Sequence, residues 1–422
     1  MARTISPAAA VAAPLPFTEF VILMASLMAI NALAIDSMLP ALPDVAAALG
    51  IKEPNNRQLV ISAYLLGAGL GAPVHGPLAD RFGRKPVLLL GLAGYVVFAL
   101  ASSWMPSLPL LLAARVGQGF FAASAFVLAV TIIRDRYVGD EMARLMSLAS
   151  ITFMIVPVLA PLLGQLLLTV SDWRSIFYLL ATLGGCLWLW VALRLPETLK
   201  KDDVLPASPH QILANWWRMA RHRQAMAYTL SSGIFFGALF GFINSAQQIF
   251  STLFDAADTF PVAFAAIAGS MAVSNFINSR FVRRHGARRM SHGALIVFIL
   301  LALVEVTISE WTSKNMTLCV VMIALSMSMG GFVGANVGSI AMEPFGHIAG
   351  AASSFQSFVR MTFGAVIGAT IGHFFDGSTL PLAIGFLLCG LTVLGLVLWA
   401  EEGVLFRRHG LHEREEFNPR EP

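Results

Sequence analysis

The sequence predicts an all-α membrane protein of twelve transmembrane helices arranged as two six-helix bundles, and three observations carry that prediction. Of 422 residues, 57% are hydrophobic and only 12% charged, about half the charge of an ordinary soluble domain. A protein core cannot absorb so much apolar side chain, so lipid must solvate much of it. Apolar runs long enough to cross the roughly 30 Å hydrocarbon layer as helices, about 20 residues each, recur along the chain. The Lys and Arg residues collect in alternate connections between these runs, as multi-span proteins require.

In chain order, the expected spans are residues 17–38, 57–78, 86–105, 107–133, 143–170 and 174–194 in the first half. Those of the second half are 225–250, 260–280, 290–309, 316–341, 348–374 and 379–400. Backbone groups in lipid must pair within their own segment, so each span is read as a helix. The stretch 86–114 holds two spans with no intervening charge beyond its ends, and Trp104, Pro106 and Pro109 mark the turn between them. No strand-like alternation occurs, which excludes an outer-membrane barrel. Residues 1–16 are expected to form a cytoplasmic tail rather than a cleaved signal. The longest hydrophilic gap, 196–224, carries Lys200, Lys201, Asp202 and Asp203 and then Trp216, Trp217 and Arg218. It reads as a cytoplasmic linker with an interfacial amphipathic helix. It separates a first bundle, 17–195, from a second, 225–402, with 403–422 as a closing tail.

Twelve spans put both termini on one side. That side receives 22 of the 28 Lys and Arg residues, the opposite side only Lys52, Arg57, Arg174 and Lys314, and two, Arg115 and Arg360, fall inside spans. The positive-inside rule therefore places both termini in the cytoplasm. The net charge of +4 is too small to argue for nucleic acid. Cys186, Cys319 and Cys389 lie in separate apolar segments and read as small buried hydrophobes, with no metal or disulfide spacing. No Walker motif and no His/Glu metal set occurs, so neither ATP nor a metal is expected, and the chain does not read as an enzyme.

The halves echo each other. After span two comes Ala79-Asp80-Arg81-Phe82-Gly83-Arg84-Lys85, and after span eight a second short basic turn, Ser279 to Arg289. Such a repeat points to two bundles alternating about a central site. The first turn, extended back to Gly76 and Leu78, resembles the loop-2/3 motif of the major facilitator superfamily, G-x-L-a-D-r-x-G-R-k. The gating and structural residues expected there are Gly76, Asp80, Arg81, Gly83, Arg84 and Lys85. Gly76 would allow close helix approach, Asp80 would pair with Arg84 or cap a helix, and Gly83 would permit the tight turn. Span four, Leu111 to Gly119, resembles the superfamily's l-x-x-x-R-x-x-q-G motif of proton-coupled members. Asp36-Ser37-Met38-Leu39-Pro40-Ala41-Leu42-Pro43 resembles the D-x-x-x-P-x-x-P pattern of drug:proton antiporters. With Ala34 and Ile35, and with Asp172 to Phe177, Leu195 to Thr198 and Ala349 to Ser353, it looks like the Bcr/CflA branch, named for bicyclomycin and chloramphenicol resistance. Span five departs from the antiporter pattern g-x-x-x-G-P-x-x-G-G. Pro161 and Gly164 fit it, whereas Ala160 and Gln165 do not.

A charge at membrane depth is costly unless paired or facing water, which makes such residues functional candidates. Asp36 is the expected proton site, with a structural cap or pairing near the outer surface as its alternative. Arg115 is expected either to tune it and hold the gate or to bridge carbonyls and Gln118. Arg360, near the middle of span eleven, is expected either to bind a carboxylate or phosphate of a substrate or to pair with Asp36, Glu305 or a helix end. All three are expected to reach a shared cavity. Glu305 is expected to snorkel outward, and Glu19 to lie at the inner interface. The resemblance puts spans one, four, seven and ten around the cavity. Asn31, Gln118, Asn244, Gln247, Gln248 and Asn336 are accordingly substrate-binding candidates, each with helix-to-helix hydrogen bonding as its alternative. Phe240, Phe250 and the Met-rich span ten would add apolar walls.

The expected function is proton-coupled antiport, exporting small amphipathic compounds by alternating access and driven by the proton gradient without a cofactor. Its partners would be the substrate, protons and the bilayer, the chain acting as a monomer in a bacterial inner membrane. A proton-coupled importer or organic-anion carrier using Arg360 is the first alternative, and a non-transporting membrane sensor or scaffold the second.

Overall fold

A computed structural model describes residues 15–137, 139–199 and 209–406. Most of the expected tails and part of the linker lie outside these residues. Among the described residues the secondary structure is entirely helical. The first bundle comprises α1 (Phe17–Asp36), a short α2 (Leu42–Ala48), α3 (Leu59–Phe82), α4 (Arg84–Trp104), α5 (Leu108–Arg136), α6 (Gly139–Val170) and α7 (Arg174–Arg194). A linker helix, α8 (Pro209–Arg221), leads to α9 (Arg223–Gln248), α10 (Phe260–His285), α11 (Ala287–Thr307), a single turn α12 (Ser309–Thr312), α13 (Met316–Met342), α14 (Ala349–His373) and α15 (Leu380–Ala400). The twelve long helices match the twelve expected spans within a few residues. Among the described residues, ten meet the length and hydropathy of a membrane span. The other two, α6 and α14, are counted among the twelve on length and fold position; α14 is the one diluted by Gln356, Arg360 and His373.

An even number of crossings leaves the described chain ends on one side, called here the terminal face. Within the first bundle α3 packs on α5, α4 on α5 and α7, and α1 on α6; within the second α9 packs on α14, α15 and α13, and α10 on α13. The bundles meet along α3 with α14 and α6 with α10. Glycine makes the tightest of these crossings possible. A methyl group at Gly67 would lie 2.0 Å from the Val116 carbonyl oxygen, and one at Gly119 would lie 1.9 Å from that of Tyr64. Helix association in lipid depends on such close approach, because lipid is as apolar as the helices themselves. Gly164, the span-five residue that fits the antiporter pattern, lets α6 reach the Ser37 carbonyl in the same way, 2.2 Å from where its methyl would sit.

The outward surfaces carry Leu90, Val97, Leu166, Leu193, Val273, Phe276 and Leu388, exposed large apolar side chains that suit lipid. Cys186 lies among these outward residues on α7, not in the interior as expected, whereas Cys319 and Cys389 are buried. The linker helix is amphipathic, as expected. Its Met219 is fully buried, Trp216 stacks on Phe358 at 5.4 Å and meets Phe355 at 5.2 Å, and Leu213 and Trp217 stay exposed.

Candidate functional site

The terminal α1 residue, Asp36, is 4% exposed, and its carboxylate makes no ion pair or hydrogen bond to another described residue. It stands where α1 ends ahead of Pro40 and Pro43, so its own turn is not continued into a helix. Arg115 does not reach it. The guanidinium is wholly buried and lies inside the first bundle. Its Nε donates to the Val60 carbonyl at 3.2 Å, Nη1 to Gln118 Oε1 at 2.7 Å and Nη2 to the Ala34 carbonyl at 3.0 Å. The Tyr64 ring lies 4.6 Å beneath the cation. Three donors and a ring face satisfy the charge without a carboxylate, so the expected cavity shared with Asp36 does not include it. Asn31 belongs to the same knot: its Nδ2 donates to the Ala122 carbonyl at 3.3 Å and its Oδ1 accepts from Tyr64 at 2.9 Å. Tyr64, not singled out from the sequence, therefore braces both residues.

Arg360, like Arg115, has no carboxylate partner among the described residues, but it also lacks the carbonyls that satisfy Arg115. It sits 5.0 Å over the Phe236 ring of α9, and its Nε is buried with no hydrogen-bond acceptor. Glu305 does not snorkel. It is 5% exposed between α11 and α13, where Ser326 Oγ donates to it at 2.8 Å. A polar partner on the neighbouring helix, invisible in the linear sequence, turns it inward. Asn336 pairs with Asn278 of α10, donating to its Oδ1 at 2.8 Å. Gln247 donates to Ser251 at 2.7 Å, in the helical turn Ile249–Leu253 that follows α9.

Asn244 and Gln248 sit elsewhere, at the seam between the bundles. Asn244 Nδ2 donates to Ser62 Oγ of α3 at 3.2 Å, and Gln248 Nε2 donates to Asn55 Oδ1 at 2.5 Å. Asn55 in turn donates to the carbonyls of His373 at 2.7 Å and Phe375 at 2.9 Å, beyond the end of α14. These bonds lie towards the face opposite the chain ends. Further from that face, a methyl at Gly69 would still touch Thr362 at 3.0 Å, but one at Gly76 would meet only Val127 of its own bundle, at 3.9 Å. The two bundles are thus hydrogen-bonded to each other at the face opposite the chain ends.

The family pattern described as Major Facilitator Superfamily matches residues 24–369. The chain belongs to that superfamily. A bicyclomycin resistance protein homolog of Haemophilus influenzae is 27% identical over 86% of this chain and 91% of its own length. Multidrug resistance protein MdtL of Klebsiella pneumoniae is 30% identical over 90% of this chain and 95% of its own. These relatives agree with the Bcr/CflA resemblance of the sequence. Among solved structures, a D-xylose-proton symporter superposes with a TM-score of 0.73 at 12% identity, covering 93% of this chain and 99% of its own. The human organic anion transporter MFSD10 superposes with a TM-score of 0.66 at 18% identity, covering 92% and 100%. At such identities these two establish the fold alone. The protein is thus a multi-pass membrane transporter of the superfamily and not an enzyme.

The superfamily's loop-2/3 motif builds a charged cluster at the terminal face. Gly83 has φ +100°, and a methyl there would strike Glu197 Oε2 at 2.6 Å, so the turn needs glycine on both counts. Arg84 pairs with Asp80 and, at 3.0 Å, with Asp135 at the end of α5. Glu197, just past α7, caps the start of α4, accepting from the backbone nitrogens of Arg84 at 2.9 Å and Lys85 at 3.1 Å. Lys85 Nζ donates to the Ala192 carbonyl at 2.8 Å, while Arg81 lies over the Phe82 ring at 5.1 Å. Gly76 lies in the body of α3 and, contrary to expectation, not at a close helix crossing, since a methyl there would meet only Val127 at 3.9 Å.

The second half repeats the device. Gly286 has φ +84° at the matching turn. Arg288 of α11 pairs at 2.8 Å with Glu343, past α13, and at 2.8 Å with Glu401, past α15. Tyr228 donates to Glu401 at 2.7 Å. Burial pushes the Glu401 carboxyl up, but the hydrogen bonds from Arg288 and Tyr228 and the Arg288 charge outweigh it and hold the group below the usual carboxylate range. The basic turn announced Arg288; its acidic partners, more than fifty residues away in sequence, were visible only as acids at helix ends.

Proposed function

We propose that the protein is a proton-coupled antiporter that exports small amphipathic compounds across a bacterial inner membrane by alternating access. The observation that carries this reading is Asp36, a membrane-embedded carboxylate without a counter-charge among the described residues. Keeping it ionised there costs several kcal/mol, so it takes a proton readily whenever the surroundings are dry and releases it when water reaches it. A group whose charge depends on which face is open is what proton coupling requires, provided proton and substrate favour different conformations. The names of the relatives support a drug-like substrate. The basic terminal face would be cytoplasmic under the positive-inside rule, so the closed seam would make this an inward-facing conformation. The carrier would work as a monomer, with the proton gradient as its energy source.

The organic-anion reading, in either direction of transport, is favoured by one observation: Arg360 has an unpartnered Nε over the Phe236 ring. A guanidinium so placed suits a carboxylate or phosphate.

Both are tested in proteoliposomes by following proton movement on addition of neutral, cationic and anionic compounds. Asp36→Asn is expected to abolish proton movement while folded protein persists, and normal pH-gradient dependence in that variant would sink the coupling role. Arg360→Ala is expected to lose anionic compounds selectively; equal loss across the panel would assign Arg360 to structure.

A further inference from the structure

Gln58 was not singled out in the sequence, yet it is 1% exposed and neither end of its amide has a hydrogen-bond partner among the described residues. It does not stand alone. Asn244, fully buried, spends Nδ2 on Ser62 and leaves Oδ1 unpartnered; Gln248, 1% exposed, spends Nε2 on Asn55 and leaves Oε1 unpartnered. Gln58 and Ser62 are one helical turn apart on the first bundle, as are Asn244 and Gln248 on the second, so each pair shares a face. The two faces oppose each other across the seam, and two glycines of α14 let that helix pack closely against them. A methyl at Gly372 would lie 3.0 Å from Asn244 Cβ and 3.6 Å from Gln58 Cγ, and one at Gly368 would lie 2.9 Å from Asn244 Nδ2.

We propose that Gln58, Asn244 and Gln248 form a hydrogen-bonding subsite between the bundles that takes the hydroxyl or amide groups of a neutral amphipathic ligand. This rests on the reading of the chain as a small-molecule carrier and adds the chemistry of what is carried. Buried amides without partners are costly, and folded proteins rarely keep them without a compensating use. One amide donor and three bare acceptor oxygens suit groups that both give and receive hydrogen bonds. The same three oxygens oppose a carboxylate, so the subsite is chemically distinct from Arg360. Its walls come from both bundles, hence a ligand held there favours the closed opposite face over the open one. Water offers the same chemistry, and a matched pair of probes separates the two.

The test uses the full-length protein in detergent with chloramphenicol, a neutral amphipathic compound bearing two hydroxyls and an amide, and its diacetate, in which both hydroxyls are masked. Wild type is expected to bind the diol roughly tenfold more tightly than the diacetate, as the loss of about one good hydrogen bond implies. Gln58→Leu is expected to bring that ratio to about one, while raising the thermal midpoint of the ligand-free protein because an unpaired amide gives way to an apolar group of similar size. Gln58→Met serves if the leucine variant does not fold. Equal binding of the pair by wild type, or a preference retained in Gln58→Leu, overturns the subsite and assigns the amides to water or packing. Equal binding with probe-driven proton movement intact leaves the carrier standing without this subsite. A preference lost in Gln58→Leu without any proton movement supports the subsite and overturns the coupling.

Discussion

Arg115→Lys separates a bracing role from a proton-tuning one, because it keeps the positive charge and removes the planar fork. In the wild type that fork makes three hydrogen bonds of 2.7–3.2 Å to Gln118 and to the Val60 and Ala34 carbonyls. The carbonyls belong to α3 and α1, so one side chain of α5 ties three helices. An ammonium at the end of a lysine stem can hold one of these acceptors well and cannot span all three. Each hydrogen bond from a charged donor is worth about 1.5–3 kcal/mol, so two lost bonds cost about 3–6 kcal/mol. The weaker cation–π contact with Tyr64, about 1 kcal/mol or more when desolvated, adds to this. A lysine that turns its charge toward a single carbonyl softens part of the loss, which leaves the lower end of the range as the expectation. The assay is the thermal midpoint of the purified protein in detergent, read beside the pH dependence of transport. The expected result is a large drop in midpoint with an unshifted pH profile in whatever protein survives. A variant that melts with the wild type while its pH profile moves would refute the bracing argument and return Arg115 to the neighbourhood of Asp36.

Two further outcomes follow from packing and charge. Gly119→Ala places a methyl 1.9 Å from the Tyr64 carbonyl oxygen and 3.0 Å from the Ala68 nitrogen, backbone atoms that cannot rotate away. A cost of roughly 3 kcal/mol or more is expected, seen as lost monodisperse protein in size-exclusion chromatography, and unaltered yield and midpoint would contradict the α3–α5 contact. For Glu401, the folded-state affinity for protons lies below that of the unfolded chain, so its stabilisation is present above the ordinary glutamate value of about 4.3 and lost as pH falls through the depressed one. Glu401→Gln should therefore start less stable near neutrality and lose less than wild type on acidification below about pH 4.5; parallel curves would show that Glu401 does not carry this pH dependence.

The fold was legible because its cause is local. Twelve apolar runs and the side on which Arg81, Arg84, Arg288 and Arg289 fall are properties of the linear chain, and helices follow from what lipid does to an unpaired backbone. The site was legible only in part, because a side chain's partner is a property of packing. Arg115 reads from the sequence either as a tuner of Asp36 or as a bridge to carbonyls and Gln118; only the carbonyls exposed at Ala34 and Val60, on two other helices, decide for the bridge. Glu305 near a helix end reads as snorkelling until Ser326 is found across from it. Gln58 carries no signal in the sequence because a polar residue in the first turn of a span is ordinary, and its surroundings come from the glycines at 368 and 372 on a helix more than three hundred residues away. Asp36 was legible because a carboxylate inside an apolar run announces itself wherever it packs.

The distribution of bond types between and within the bundles bears on how such a molecule moves. Within each bundle the terminal face is tied by charged bonds: Arg84 to Asp80 and Asp135, and Arg288 to Glu343 and Glu401. Across the bundles, the described hydrogen bonds are neutral ones, from Asn55 to two carbonyls, from Gln248 to Asn55 and from Asn244 to Ser62. Neutral bonds contribute about 0.5–1.5 kcal/mol each, so opening the seam forfeits about 2–6 kcal/mol of hydrogen bonding before water replaces any of it. Driving a two-state equilibrium from 1:99 to 99:1 takes about 5.5 kcal/mol of differential affinity, a quantity that one proton and one ligand can supply together. The charged bonds keep each bundle rigid, and the neutral ones leave the boundary between them within reach of what the carrier binds.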